Sequence, residues 1–290
     1  MLGRKAFIYL IFPCVLIVSL SFAQTQKTKP IYIHTDAQGK AINLVAWQPD
    51  FWEKCYFPEH QEVMNEQIQQ LQMLLESLKQ ESSLGLPLLE TALKTKVAFC
   101  LDTRKDVSYS YYDKSYNIIV IKAFLDADTQ LLFLVHELRH IDQIDRGFCP
   151  SLAYSLKSMA QLSLADEADA QAVTTLFAWR LSKLGEIGPW QSLLAFETYG
   201  DIAEAFATEM SKSHDELRAT QCAFQQWYEN RWRPDAYYFA ACIGYMDDLD
   251  EQYRLESNEP LPENYYQNLS LLPGGSNYDC VATQKIESIP

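Results

Sequence analysis

The run His136-Glu137-Leu138-Arg139-His140 sets two imidazoles four residues apart, with a carboxylate beside the first. On a helix, positions i and i+4 share a face, so His136 and His140 can aim ring nitrogens at one metal ion. A bound metal lowers the pKa of its water toward about 7, and Glu137 is placed to take that proton and send hydroxide to a carbonyl. The chemistry expected is Zn2+-assisted hydrolysis, with Glu137 as general base. The flanks support it. Leu131, Leu132, Leu134, Val135, Leu138 and Ile141 make the segment read as a buried helix. Charged and imidazole side chains there are costly unless they coordinate or pair.

Zinc held for catalysis needs a third protein ligand. No HxxGxxH extension follows His140, and His34, His60 and His214 lie far along the chain. The acidic stretch Asp166-Glu167-Ala168-Asp169-Ala170 stands at the next long helix instead. Glu167 is the expected third ligand, and Asp169 is expected to orient a ligand histidine through its other ring N–H. Asp166 or Asp169 as ligand stays open, because Gln171 occupies the position where many zinc peptidases of the gluzincin type carry an Asp. The plain alternative is an acidic first turn that suits a helix N-terminus. Tyr154, Tyr199 and His214 are candidates for polarising a substrate carbonyl.

The elements that must hold these residues are also legible. Residues 31–33 and 42–47 could be short strands. Val63, Ile68, Leu71, Leu74, Leu75 and Leu78 repeat at helical period over 59–81, and a short helix follows at 88–94. Residues 97–101, 108–112 and 117–121 are β-branched or aromatic, separated by turn-like stretches, and predict a small antiparallel meander. Helices are expected at 128–143, capped by Asp128 or Thr129 and stopped by Gly147, then at 152–160, 163–184, 187–197, 200–211, 213–229 and 235–248. Prolines and Gly274-Gly275 make 255–290 a loop or tail. The fold class is α+β, mostly helical: a small antiparallel sheet ahead of the HExxH helix, then a helical bundle. The divisions expected are 1–23, 24–95 as an amino-terminal helical region, 96–250 as a zincin-like domain and 251–290 as an irregular tail.

Composition narrows the function. The 290 residues carry 24 Lys+Arg against 38 Asp+Glu, a formal net charge of −14, which argues against a nucleic-acid partner. Residues 1–23 read as a secretory signal peptide, with Arg4 and Lys5 before an apolar run and Ser21-Phe22-Ala23 at the cleavage position. The expected chain is exported, periplasmic or secreted, without stable membrane insertion once the signal is removed. Six cysteines remain after the signal: Cys55, Cys100, Cys149, Cys222, Cys242 and Cys280. An even count in an exported chain favours disulfides, and the absence of CxxC removes a zinc-ribbon reading.

Between about 95 and 245 the sequence resembles a family of bacterial domains known only as metallopeptidases by prediction. The resemblance rests on His136–His140 with Gln143 following, Glu167-Ala168-Asp169-Ala170, Asp201-Ile202-Ala203-Glu204-Ala205-Phe206, Ala223-Phe224-Gln225-Gln226-Trp227-Tyr228, and Arg233 with Tyr237 or Tyr238. It implies a gluzincin-like zinc hydrolase, with His136, His140 and Glu167 at the ligand positions and Glu137 as base. It implies no particular substrate. The expectation is therefore an exported zinc metallopeptidase acting on a peptide or protein. The alternative is a non-catalytic zinc-binding or partner-binding protein on the same fold.

Overall fold

Two five-residue runs, Ala98–Asp102 (β4) and Ile118–Lys122 (β6), are buried along their whole length. Strands covered on both faces are typical of parallel pairs, and these two pair in parallel, from Ala98 opposite Ile118 to Asp102 opposite Lys122. The computed structural model describes the backbone of 32–35 and 41–44, and residues 51, 53–58, 64–104, 108–114 and 116–280. The expected signal peptide, His60 and the start of the 59–81 helix lie outside the described residues.

Tyr32–Thr35 (β1) and Ala41–Leu44 (β2) form an antiparallel pair. Cys55–Tyr56 (β3) and Ser110–Asp113 (β5) complete a four-stranded sheet in the order β3-β4-β6-β5. The sheet is therefore mixed rather than an antiparallel meander. The chain leaves β4, runs out along the edge as β5, and turns back so that the more apolar β6 takes the covered position between them. Half-buried β5, with Ser110, Tyr111 and Tyr112, is left at the edge. Alternate residues divide the packing: Phe99, Leu101, Ile119 and Ile121 join the main core. Ala98, Cys100, Ile118 and Val120 meet Phe51 and Cys55 on the other face. Cys55 and Cys100 face each other across β3 and β4 and form a disulfide. The other four, Cys149, Cys222, Cys242 and Cys280, are free thiols, so only one of the expected bridges is present. A disulfide of this kind persists in an oxidising compartment.

Helix α1 (Glu66–Gln80) is capped by the Asn65 side chain, which accepts from the Ile68 N–H, and buries Ile68, Leu71, Leu74, Leu75 and Leu78. Helix α2 (Gly85–Lys94) follows. Helix α3 (Ala127–Asp145) is capped two residues ahead of Asp128, because the Asp126 carboxylate, not Asp128 or Thr129, accepts from the Thr129 N–H. Gly147 ends it as expected, at φ +90°, where a side chain would be strained. Helix α4 (Leu156–Lys183) is one continuous helix where two were expected. Nothing between Met159 and Leu164 breaks it: the stretch has no Gly or Pro, and Met159, Ala160, Leu162 and Leu164 are all buried. Its Ala165, Ala168 and Ala172 are fully buried. Small side chains of this kind let neighbouring helices approach closely.

Helices α5 (Gly188–Ala195), α6 (Gly200–Ser213), α7 (Glu216–Trp227) and α8 (Trp232–Glu251) pack around α4. The carboxy-terminal stretch expected as loop contains one helical turn, α9 (Tyr265–Leu269). It buries Tyr265, Leu269, Leu272, Tyr278 and Cys280 in the main core. The fold is α+β and mostly helical. Among the described residues, no helix is long and apolar enough to cross a membrane.

Candidate metal centre

Helices α3 and α4 lie side by side, and each contributes to one cluster. His136 and His140 stand one turn apart on α3, and Glu167 reaches them from α4. The two Nε2 atoms are 3.1 Å apart. Glu167 Oε2 lies 3.3 Å from His136 Nε2, and Glu167 Oε1 lies 3.5 Å from His140 Nε2. Four-coordinate zinc with bonds of about 2.0–2.1 Å sets its ligand atoms about 3.3–3.4 Å apart. The three separations bracket that spacing. The donor set, two imidazole nitrogens and a carboxylate oxygen, is among those divalent zinc takes in hydrolytic sites. The residues therefore fit a metal ion, and these three form the group among the described residues that could hold one.

In the bare protein the cluster behaves as a charge pair. Burial works against a charged His140, but the Glu167 carboxylate and, more weakly, Glu137 outweigh it and raise His140 to about 10. Burial likewise opposes an ionised Glu167, and the two histidines overcome it and hold its carboxyl well below the usual range. A cation is thus favoured at this point of the fold.

Gln143, three residues past His140, orients the ring. Its Oε1 lies 2.7 Å from His140 Nδ1. Its Nε2 donates to the Asp166 carbonyl at 2.9 Å and to Asp169 Oδ2 at 2.7 Å. Those two acceptors fix which end of the amide is nitrogen, so Oε1 accepts and His140 Nδ1 carries the proton. A metal ion taking the place of the second ring proton would then meet the lone pair of His140 Nε2. The role expected of Asp169 is therefore filled by Gln143, and Asp169 stands one step further back. A glutamine fits here because Asp169 is already engaged. Its carboxylate takes Arg139 Nε at 2.7 Å and Arg139 Nη2 at 3.0 Å, and accepts from the Tyr278 hydroxyl at 2.5 Å.

Arg139, the fourth residue of the motif, is fully buried and explains how a charge survives in this helix. Besides Asp169 it reaches Asp142 at 2.6 Å, and the carbonyls of Leu269 and Leu271 at 2.8 and 3.1 Å. Asp166, the other open candidate, is turned to Tyr265, whose hydroxyl donates to Oδ1 at 2.7 Å. Burial pushes Asp166 up to about 7, against the pull of that hydrogen bond. The carboxy-terminal segment thus braces both acidic neighbours of Glu167.

Glu137 faces the sheet. It is 5% exposed, and its Oε1 accepts from the Ser110 hydroxyl at 2.6 Å. Ser110 opens the edge strand β5, so one hydroxyl ties the carboxylate to the strand edge while Oε2 is left for other chemistry. Tyr199 lines the space beside His136. Burial pushes its hydroxyl up to about 12, although it accepts a hydrogen bond from Tyr237. The Arg233 side chain donates to the Thr198 carbonyl at 2.6 Å and pairs with Asp201, fixing the turn that carries Tyr199. Of the other carbonyl-polarising candidates, Tyr154 packs against the core and gives its carbonyl to Tyr245. His214 is the left-handed cap of α6. Gln143, Ser110, Tyr265 and Tyr278 had no role assigned from sequence. Gln143 alone left a signal, in its spacing after His140.

The model of a family described as "Putative metallopeptidase family (DUF6782)" matches residues 42–280. No curated protein matches the chain significantly, and no solved structure does.

Proposed function

The chain belongs to this metallopeptidase family, and from that premise we propose that it is an exported, zinc-dependent peptidase of gluzincin type. The observation that carries the reading is the convergence of His136, His140 and Glu167 at 3.1–3.5 Å, with the Glu137 carboxylate on the same helix. His136 Nε2, His140 Nε2 and Glu167 would hold the ion. When bound, Zn2+ supplies Lewis-acid polarisation of a carbonyl and a nucleophile available at neutral pH. Gln143 keeps the His140 proton on Nδ1, so that Nε2 stays a donor to the metal. Ser110 holds Glu137 by Oε1, and Oε2 takes the proton released as the peptide carbonyl is attacked. The same oxygen then gives that proton to the leaving amine, which returns Glu137 to its starting charge. The substrate main chain pairs with the open edge of β5, which brings its carbonyl past Glu137. Tyr199, which lines the space beside His136, would donate its phenol hydrogen to the developing oxyanion. The Cys55–Cys100 disulfide supports export to the periplasm or beyond the cell.

Replacing Glu137 by Ala tests the reading. The variant should keep its zinc and lose peptide hydrolysis by at least a hundredfold. Hydrolysis that survives the change would refute this mechanism.

A further inference from the structure

Helix α8 buries one face and displays a second apolar row to solvent. Inward it buries Arg233, Pro234, Tyr245 and Leu249. Outward, Trp232 is 42% exposed, and Phe239 and Met246 are each 54% exposed. These three recur every seven residues. Partly exposed Ala236 and Ile243 fall between them, and exposed Asp250 follows. The steps from Trp232 to Asp250 thus alternate between four and three residues. That alternation is the heptad seam by which two helices bury one row each. A surface helix of a monomer needs only the row that faces its own core. A continuous exposed row of large apolar side chains marks an interaction surface.

Charge sets the direction of the partner. Asp247, Asp248, Asp250 and Glu251 crowd the carboxy end of α8, and no basic residue stands in its last turn. The helix dipole is negative at that end as well. The amino end is positive by its dipole and has no side-chain cap. It also carries Arg231, whose side chain is 87% exposed and lies 3.8 Å from Asp235. A parallel copy would set the two acidic ends together, whereas an antiparallel copy sets each acidic end beside an uncapped amino end. One register uses the whole row, with a twofold axis at residue 241. It opposes Trp232 to Asp250, Ala236 to Met246 and Phe239 to Ile243 of the second copy. An indole N–H then meets a carboxylate, a small side chain meets a long one, and two large apolar side chains close the centre. A shift of one heptad leaves two of the six positions unmatched.

We propose that the chain forms a twofold-symmetric dimer through antiparallel α8 helices. The surface is self-complementary, as such an interface requires. An anionic membrane is disfavoured as the occupant, because carboxylates border the row and the chain has a formal net charge of −14. The dimer holds whether or not the metal centre is catalytic.

The test uses the mature chain, residues 24–290. Analytical ultracentrifugation at about 100 µM should show a dimer, since a micromolar Kd fills the interface there. Phe239→Glu changes a side chain that is half exposed in the single chain, so its circular dichroism and melting should match the unaltered chain. It should weaken dimerisation at least a hundredfold. Met246→Lys is the second variant should the first disturb α8. Cys242 reports the direction of pairing. It is a free, part-exposed thiol, flanking the row one residue from the proposed axis. A short bis-maleimide should link Cys242 to its copy in the unaltered chain and form no such link in Cys242→Ser. A monomer at the stated concentration, a dimer that both charged variants leave intact, or a dimer that does not link through Cys242 would overturn the proposal. So would a monomer that floats with phosphatidylcholine vesicles and loses them in Phe239→Glu.

Discussion

Replacing Gln143 by leucine removes the group that links His140 to the rest of the network while leaving all three candidate ligands in place. Three contacts go: His140 Nδ1 at 2.7 Å, the Asp166 carbonyl at 2.9 Å and Asp169 Oδ2 at 2.7 Å. Asp169 keeps both Arg139 bonds and Tyr278, so its loss is small. The Asp166 carbonyl keeps its backbone bond within α4, so His140 Nδ1–H is the group left without its partner. At about 1–3 kcal/mol for one unpaired group, the variant should lose about 1–3 kcal/mol of stability. Metal binding should weaken separately. Loss of a hydrogen-bond partner behind a ligating imidazole costs about 10–100-fold in affinity. That corresponds to about 1.4–2.7 kcal/mol. The assay is competition for zinc against a chromophoric chelator at neutral pH, on protein shown by circular dichroism to be folded. A Gln143→Leu variant that binds zinc as tightly as the unaltered chain would refute the argument that Gln143 fixes the His140 ring.

Asp102→Asn should destabilise the fold by about 3–5 kcal/mol, because it breaks a buried ion pair: Lys122, 1% exposed, lies 2.8 Å from Asp102 Oδ2. The pH dependence follows from the same pair. Burial pushes the Asp102 carboxyl up, but bonds from Arg104 and Lys122 outweigh this and hold it below the ordinary range. Its contribution is therefore present above the unfolded value of about 3.9 and is lost as pH falls through the lowered folded value. Thermal melts between about pH 2 and 5 should show a shallower acid limb in the asparagine variant than in the unaltered chain. Removing the disulfide with Cys55→Ser and Cys100→Ser opens a loop spanning 45 residues. The chain-entropy relation puts the cost near 4 kcal/mol at 25 °C, measurable by urea unfolding, and an unchanged midpoint would count against that contribution.

The HExxH helix was legible because a chemical motif and an apolar pattern coincide over the same residues. The paired use of Glu167 was legible as one of three acidic choices, and only packing separates them. Asp166 is drawn off by Tyr265 and Asp169 by Arg139 and Tyr278, partners 99 and 109 residues away for the two tyrosines. No local spacing encodes contacts of that range. The carboxy-terminal stretch is irregular as expected apart from α9, but its place in the core is not legible for the same reason. Its prolines and glycines do describe turns, yet Tyr265, Leu269 and Tyr278 are buried against the site helices. The sheet misled in another way. Residues 97–121 do contain three strands, but pairing order depends on which strand is most apolar, and β6 displaced β5 from the side of β4. The long helix α4 was divided at 160–163 because a lull in periodicity looks like a break when a helix is buried on nearly every side. Arg139 was legible as a cost but not as a solution, since its partners come from α4 and from two carbonyls beyond residue 268.

The most direct test of the metal centre is the metal content of the mature chain, residues 24–290, produced in an oxidising compartment without a histidine tag and measured by mass spectrometry. One zinc per chain, retained through dialysis and lost in both His140→Ala and Glu167→Ala, is the expected result. A well-folded chain that takes up no zinc on reconstitution, or one whose zinc survives both substitutions, would contradict it.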